Sequence, residues 1–223
     1  MNDQQAELEW RPGGVPVSTR FDDPYFSLDN GLDETRHVFL SGNGLPGRFR
    51  DGFHVAELGF GTGLNLLATL EAWRRAGIPG RLVYTSFEAY PMAPADMIRA
   101  QASFPGVASL ARELAPAWAD GMSADLPDLR LRVVTGDARQ TLPAWADRAD
   151  AWFLDGFSPA KNPELWGPHL LAQVAAHTRP GGTAATYTAA GFVRRGLDAA
   201  GFHVTRVPGY GRKRHMTTAR LGG

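Results

Sequence analysis

The stretch DAWFLDGFSPAKNP (150–163) sets an apolar run against a terminal Asp155, then breaks into Gly-Phe-Ser-Pro. A hydrophobic strand that ends on a carboxylate and a turn presents that carboxylate at the rim of a sheet, beside Phe157 and Lys161. A carboxylate in a half-apolar pocket orients an amine and accepts its proton. The same aspartate would serve a plainer purpose as the cap of a proline-rich loop.

A second stretch, ELGFGTGLN (57–65), places Gly59, Gly61 and Gly63 between a strand and a helix, where the backbone approaches a ligand closely. The spacing fails G-x-G-x-x-G from either Gly59 or Gly61, and no Gly-Lys-Ser/Thr of a phosphate loop follows. The pattern left, an acidic residue and then three alternate glycines, suits S-adenosylmethionine. That ligand has no pyrophosphate, and Glu57 can help hold its methionine end. Asn65, which closes the loop, is expected beside the glycines as a cofactor-binding residue. Glu88 ends the next strand, where a carboxylate accepts ribose hydroxyls, and Asp137 ends the one after, where an adenine would lie. Either could instead cap a helix, but with Asp155 they make three carboxylates at strand ends.

The elements that must carry these residues alternate. Strands are expected at 53–59, 81–88, 129–137, 150–155, 183–189, 202–209 and 216–221. Helices are expected at 64–77, in pieces over 93–120 broken by prolines, at 165–178 (ended by RPGG) and at 192–201. Alternation implies a mostly parallel sheet covered on both faces, and the last two strands, joined only by YGRKRH, form an antiparallel hairpin. Residues 1–50 read as an N-terminal extension with a short strand (15–18), a turn-rich stretch (21–31) and one helix (32–40) that packs on a core domain, 51–223.

Composition excludes several chemistries. The 223 residues contain no cysteine, so disulfides, iron–sulfur clusters, thiolate zinc and a catalytic thiol are out. The six histidines show no metal-binding spacing, and there is no G-x-S-x-G elbow, so no metal is expected. The acidic start lacks the pattern of a secretion signal, and no apolar run would span a bilayer, which suggests a cytoplasmic protein without a membrane partner. Net charge is zero, yet residues 179–223 carry eight basic side chains against one acidic. Such an end suits a local anionic partner or is a solvated arginine-rich face.

Taken with FDDPYFSLDNGLDETRHVFL (21–40), SFEAYP (86–91), AGFVRRGLDAAGF (190–202) and GYGRKRHM (209–216), these motifs mark a resemblance over nearly the whole chain. The chain resembles the methyltransferase half of the bifunctional tRNA wobble-uridine modification enzyme MnmC and the stand-alone MnmD-type methyltransferases. The resemblance implies a Rossmann-like methyltransferase fold with a seven-stranded sheet, and methyl transfer from S-adenosylmethionine to the amine of 5-aminomethyl-(2-thio)uridine at position 34. It implies that Gly59, Gly61, Gly63 and Glu88 hold the cofactor and that Asp155 faces the amine. It further implies that Tyr25, Phe26 and Asn30 close the site. Arg194, Arg195, Arg206, Arg212, Lys213 and Arg214 then have a role at the phosphates of the tRNA anticodon arm. The bifunctional relatives continue into a flavin-dependent oxidase domain; this chain stops at Gly223 with no second glycine fingerprint, so no FAD is expected. A transferase acting on a small amine, or an RNA-binding module without catalysis, stays open on the residues alone.

Overall fold

The computed structural model describes residues 5–27 and 30–223, so part of the N-terminal start and Leu28 and Asp29 of the turn-rich stretch lie outside the described residues. The first strands are β1 (Leu8–Arg11), β2 (Val15–Ser18) and β3 (Asp23–Pro24), a small antiparallel sheet. The expected helix over 32–40 starts at Gly31 as α1 (Gly31–Thr35) and then widens into a π turn over Arg36–Leu40. Three successive apolar residues there, Val38, Phe39 and Leu40, are all buried, which one stripe of a regular helix does not achieve.

The main sheet comprises β4 (His54–Leu58), β5 (Leu82–Glu88), β6 (Ser123–Asp125), β7 (Leu129–Thr135), β8 (Ala149–Leu154), β9 (Thr178–Thr186), β10 (Phe202–Pro208) and β11 (His215–Leu221). Their order is β10-β11-β9-β8-β4-β5-β7-β6. Strands β7, β5, β4, β8 and β9 are parallel; β11 runs antiparallel to β9, and β10 to β11, as the hairpin reading requires. Among the described residues the sheet has eight strands rather than seven. The extra one, β6, is a three-residue antiparallel edge strand, too short to leave a period in the sequence.

Helices α2 (Leu64–Ala76), α3 (Pro94–Gln101), α4 (Ala108–Ala119), α5 (Ala138–Thr141), α6 (Pro168–Ala176) and α7 (Gly191–Ala199) fill the crossovers. The helix expected from 165 begins only at Pro168, since proline suits the first helical position, where its missing N–H costs no hydrogen bond; α4, by contrast, carries Pro116 inside it, so not every proline over 93–120 breaks a helix. RPGG does not end that helix. It lies inside β9 as an irregularity, where the partner of β8 jumps from Thr178 to Thr183. Strand β9 then stops at Thr186, and Tyr187 turns away to donate to the Gly156 carbonyl (2.7 Å).

Alternation within the strands builds a core on each face. From β8, Ala151 and Phe153 join Val55, Leu67, Leu70 and Trp73 on the α2 side. Trp152 and Leu154 join Ala56, Leu58, Leu170, Val174 and Val193 on the α6–α7 side. A strand buried on both faces is the signature of a covered parallel sheet.

Candidate active site

Strand β4 pairs with β5 on one side and β8 on the other, so the chain reverses its direction of travel across the sheet at β4. A crevice opens beyond the carboxyl ends of strands at such a point. Here it is a cavity of about 1150 Å³, lined by the glycine loop, Glu88, Asp137, Asp155, Phe157, parts of residues 20–35, and Arg212 and Lys213.

Gly59 explains why the glycine loop and the Asp155 turn meet. Its φ is +86°, and a Cβ there would lie 1.9 Å from the Asp155 carbonyl oxygen. Only glycine lets the loop lie against that turn. Gly59 N–H donates to the Phe87 carbonyl (2.9 Å) and Asp155 N–H to the Leu58 carbonyl (3.0 Å), which ties three strand ends together. Gly61 N–H donates to Glu88 Oε2 (3.0 Å), and Tyr90 N–H to Glu88 Oε1 (2.8 Å). The Glu88 carboxylate is thereby fixed on the cavity wall with lone pairs to offer.

Asp155 is half-buried on the cavity floor. Its Oδ2 accepts from Asn65 Nδ2 (2.7 Å). Burial pushes its carboxyl up to about 7, opposed by the Asn65 hydrogen bond and the Lys213 charge and assisted by Glu34. Phe157 stands beside it, stacked on Phe21 (centroids 4.8 Å apart) and edge-on to Tyr25 (5.0 Å). Lys213 reaches in from the loop between β10 and β11. It pairs with Glu34 (2.7 Å) and lies over the Tyr187 ring (4.2 Å).

Other expected residues sit differently. Glu57 is not on the cavity wall. It is fully buried beneath it, accepting from Asn65 (2.8 Å) and Ser86 (2.7 Å), because its position in β4 points it into the layer under the loop. Asp137 lines the cavity but caps α5 through Arg139 N–H (2.9 Å) and pairs with the Arg139 guanidinium (2.6 Å), whose hydrogen bonds hold its carboxyl below the usual range. Lys161 does not line the cavity. It bonds the Asp22 carbonyl and approaches the Asp22 and Asp23 carboxylates (3.2 and 3.7 Å), while Ser158 N–H donates to Asp23 (2.8 Å). It therefore pins the N-terminal segment to the Asp155 turn.

Tyr25 and Phe26 line the cavity; Asn30 does not, and instead accepts from Asp33 N–H (3.1 Å) as the cap of α1. Arg194, Arg195 and Arg214 lie off the cavity wall, on α7 and the hairpin loop. Sequence reasoning misses Phe21, Thr35, Glu34 and Tyr187 as parts of the site. Phe21, Thr35 and Glu34 fall inside one of the motifs, but nothing in the spacing tells which of its side chains face inward. Among the described residues, no group of three or more His, Asp or Glu could hold a metal ion, and no helix is long and apolar enough to cross a membrane.

Comparison with known proteins agrees with this architecture. The chain is 46% identical over 233 residues to the tRNA 5-methylaminomethyl-2-thiouridine biosynthesis bifunctional protein MnmC of Marinobacter nauticus, covering 98% of this chain and 37% of that protein. It is 49% identical over 223 residues to MnmC of Caulobacter vibrioides, covering 96% and 38%. The chain thus spans less than two fifths of the curated relatives it matches. Among solved structures, MNMC2 from Aquifex aeolicus superposes with a TM-score of 0.76 at 26% identity, over 99% of this chain and 72% of that one. A spermidine synthase shares the fold at a TM-score of 0.59 and 14% identity, over 100% of this chain and 72% of that one. A family model described as S-adenosyl-L-methionine-dependent methyltransferase matches residues 107–222, more than half of the chain. With the glycine loop and three acidic strand ends in one crevice, the chain belongs to the S-adenosylmethionine-dependent methyltransferase family.

Proposed function

We propose that this chain methylates the amine of 5-aminomethyl-uridine, or of its 2-thio form, at wobble position 34 of tRNA, giving 5-methylaminomethyl-(2-thio)uridine. The observation that carries this reading is Asp155, a carboxylate set on the floor of the cavity beside an aromatic wall and raised toward neutrality by burial.

The cavity suits S-adenosylmethionine. Glu88 is held as a hydrogen-bond acceptor by Gly61 and Tyr90, which fits a ribose diol, and a Cβ on Gly61 would press on the Tyr25 ring at 3.2 Å. When bound, the cofactor supplies an electrophilic methyl group. Gly59, Gly61 and Glu88 hold it; Gly63, expected beside them, does not line the cavity and instead turns the chain into α2 at φ +71°, while Asn65 lines the wall above the buried Glu57. Asp137, already paired with Arg139, offers at most its outer lone pairs.

An alkylammonium has no lone pair until it loses a proton. Asp155 accepts that proton at its carboxylate and keeps the amine aimed. The apolar walls of Phe21, Tyr25 and Phe157 lower the amine's own proton affinity and pack against a flat base. A single-stranded wobble nucleotide can swing into such a pocket. Arg212 and Lys213 stand at the cavity and Arg194, Arg195, Arg206 and Arg214 beyond it, a basic margin for anticodon-arm phosphates. Residues 1–50 we read as an extension that packs on the core domain, with Asp22 and Asp23 held beside the site by Lys161 and Ser158.

The test compares acceptors. With labelled S-adenosylmethionine, tRNA carrying the aminomethyl group should take up label, while tRNA carrying carboxymethylaminomethyl and free putrescine should not. Label on putrescine but not on tRNA would replace the reading with a small-amine transferase.

A further inference from the structure

From the cavity floor a polar chain runs down from Thr35, Asn65 and Asp155, which line the cavity, to Glu57 and Ser86 beneath it, with no cation hydrogen-bonded to it among the described residues. Thr35 Oγ1 donates to Asn65 Oδ1 (2.9 Å), and Asn65 Nδ2 donates to both Glu57 Oε1 (2.8 Å) and Asp155 Oδ2 (2.7 Å). Ser86 Oγ donates to Glu57 Oε2 (2.7 Å). Thr35, Asn65, Glu57 and Ser86 are all buried. A side-chain amide has two N–H donors, and both are committed here, each to a carboxylate. The amide has one workable orientation, since turning it would set its carbonyl oxygen against two acceptors.

Two carboxylate oxygens on one nitrogen lie roughly 4–5 Å apart. With Glu57 fully buried, a like charge at that distance disfavours its ionised form. Among the described residues Glu57 has no cation beside it, and the one that acts on Asp155 is shared. Lys213, the cation facing Asp155 from the hairpin loop, is paired with Glu34. Tyr187, after β9, faces Asp155 as a phenol whose ionisation burial suppresses. On the β5 side, the Tyr84 hydroxyl lies beside Glu57, buried and without a hydrogen-bond partner. A phenol both donates and accepts, so it serves either state of Glu57: it donates to the carboxylate, which opposes protonation, or accepts from the acid. Burial drives Glu57 toward the acid.

We propose that Asn65, locked by Thr35, is the positioning residue that aims the Asp155 carboxylate into the cavity, and that Glu57 is its neutral, protonated anchor. The pair then holds one proton below the floor and leaves Asp155 as the member that exchanges protons with the cavity. Asn65 thereby acts on the acceptor side of the reaction rather than as a cofactor ligand. The inference rests on the methyl-transfer reading for its kinetic consequence, but not for its proton placement.

The experiment has two arms. In the first, carbon-13 NMR follows aspartate and glutamate carboxyls with pH in the cofactor-free full chain. One carboxyl that stays protonated to neutral pH should vanish in Glu57→Gln, and one titrating near neutrality should vanish in Asp155→Asn. An ionised Glu57 at neutral pH would overturn the proposal whatever the protein methylates. In the second arm, Asn65→Leu is assayed with aminomethyl-tRNA. The rate constant kcat should fall about 100-fold, the effect of misplacing a reacting group by an ångström. The midpoint of its pH profile should rise, because the amide no longer favours the charged Asp155. The KM for tRNA and the calorimetric affinity for S-adenosylhomocysteine should hold. Lost cofactor affinity with an unmoved pH midpoint would make Asn65 a cofactor ligand and refute the positioning role. Should Asn65→Leu fail to fold, Thr35→Val, which frees the amide without emptying its site, should show the same signs more weakly; an unmoved midpoint and an unmoved kcat there would equally refute it.

Discussion

Replacing Gly59 by alanine tests whether the glycine loop exists to admit the Asp155 turn. The substitution has two costs that the geometry separates. A side chain at φ +86° sits in a region that non-glycine residues avoid, at about 1–3 kcal/mol. The new Cβ would also meet the Asp155 carbonyl at 1.9 Å. Opening that approach to roughly 3.3 Å moves one backbone by about 1.4 Å and strains the Asp155–Leu58 or the Gly59–Phe87 hydrogen bond, a further ~1 kcal/mol. Gly77 is the control. It also has positive φ, at +62°, but a Cβ there meets nothing within 4 Å. Gly77→Ala should cost only ~1 kcal/mol of backbone strain. In calorimetry, a chain of this size loses about 2–4 °C of Tm per kcal/mol, so Gly59→Ala should fall by about 5–15 °C and Gly77→Ala by ~3 °C. Methyl transfer should drop ~100-fold in the first and hold in the second, because a shift of about an ångström disorders the reacting groups. Equal losses in the two variants would mean that Gly59 is merely a turn glycine and that the close approach of loop and turn is immaterial.

Three further outcomes follow from the site. The rate kcat/KM for tRNA should climb with pH through about 7 as Asp155 deprotonates, and Asp155→Asn should be slow and lack that limb. Because folding raises Asp155 from 3.8 to about 7, the folded chain keeps a proton that the unfolded chain releases between those values. Stability should therefore fall with pH across that window, by up to ~4 kcal/mol, relative to Asp155→Asn, as read by urea unfolding at pH 4 and pH 8. Glu88→Ala should weaken S-adenosylmethionine binding about 10- to 100-fold by calorimetry, the worth of one or two charge-assisted hydrogen bonds. Alanine at Arg212, Lys213 and Arg214 together should raise KM for tRNA and flatten its dependence on salt, by roughly 0.7 in log–log slope for each phosphate left without its cation.

The sheet is legible in the sequence because strand ends are local. Apolar runs that stop on Glu88 and Asp155 are visible residue by residue, as is the glycine loop between β4 and α2. What stays hidden depends on partners far away in sequence. Lys161 bonds Asp22 across 139 positions, and Asn65 reaches Asp155 across 90. Spacing alone groups Lys161 with the chemistry and Asn65 with the cofactor, yet their neighbours make one a pin and the other a bridge. Glu57 departs from its expected place for a related reason. A strand alternates its side chains, but the sequence does not say that the loop after β4 covers Glu57 rather than exposing it. Three-residue β6 and the break inside β9 carry no period to read.

The central claim is tested most directly by the nucleoside itself. The protein is incubated with S-adenosylmethionine bearing a deuterated methyl and tRNA carrying 5-aminomethyl-2-thiouridine, and the digested tRNA is examined by mass spectrometry. The account predicts one labelled methyl on nucleoside 34, strongly diminished with Asp155→Asn. Label on another nucleoside, or undiminished label with Asp155→Asn, would contradict it.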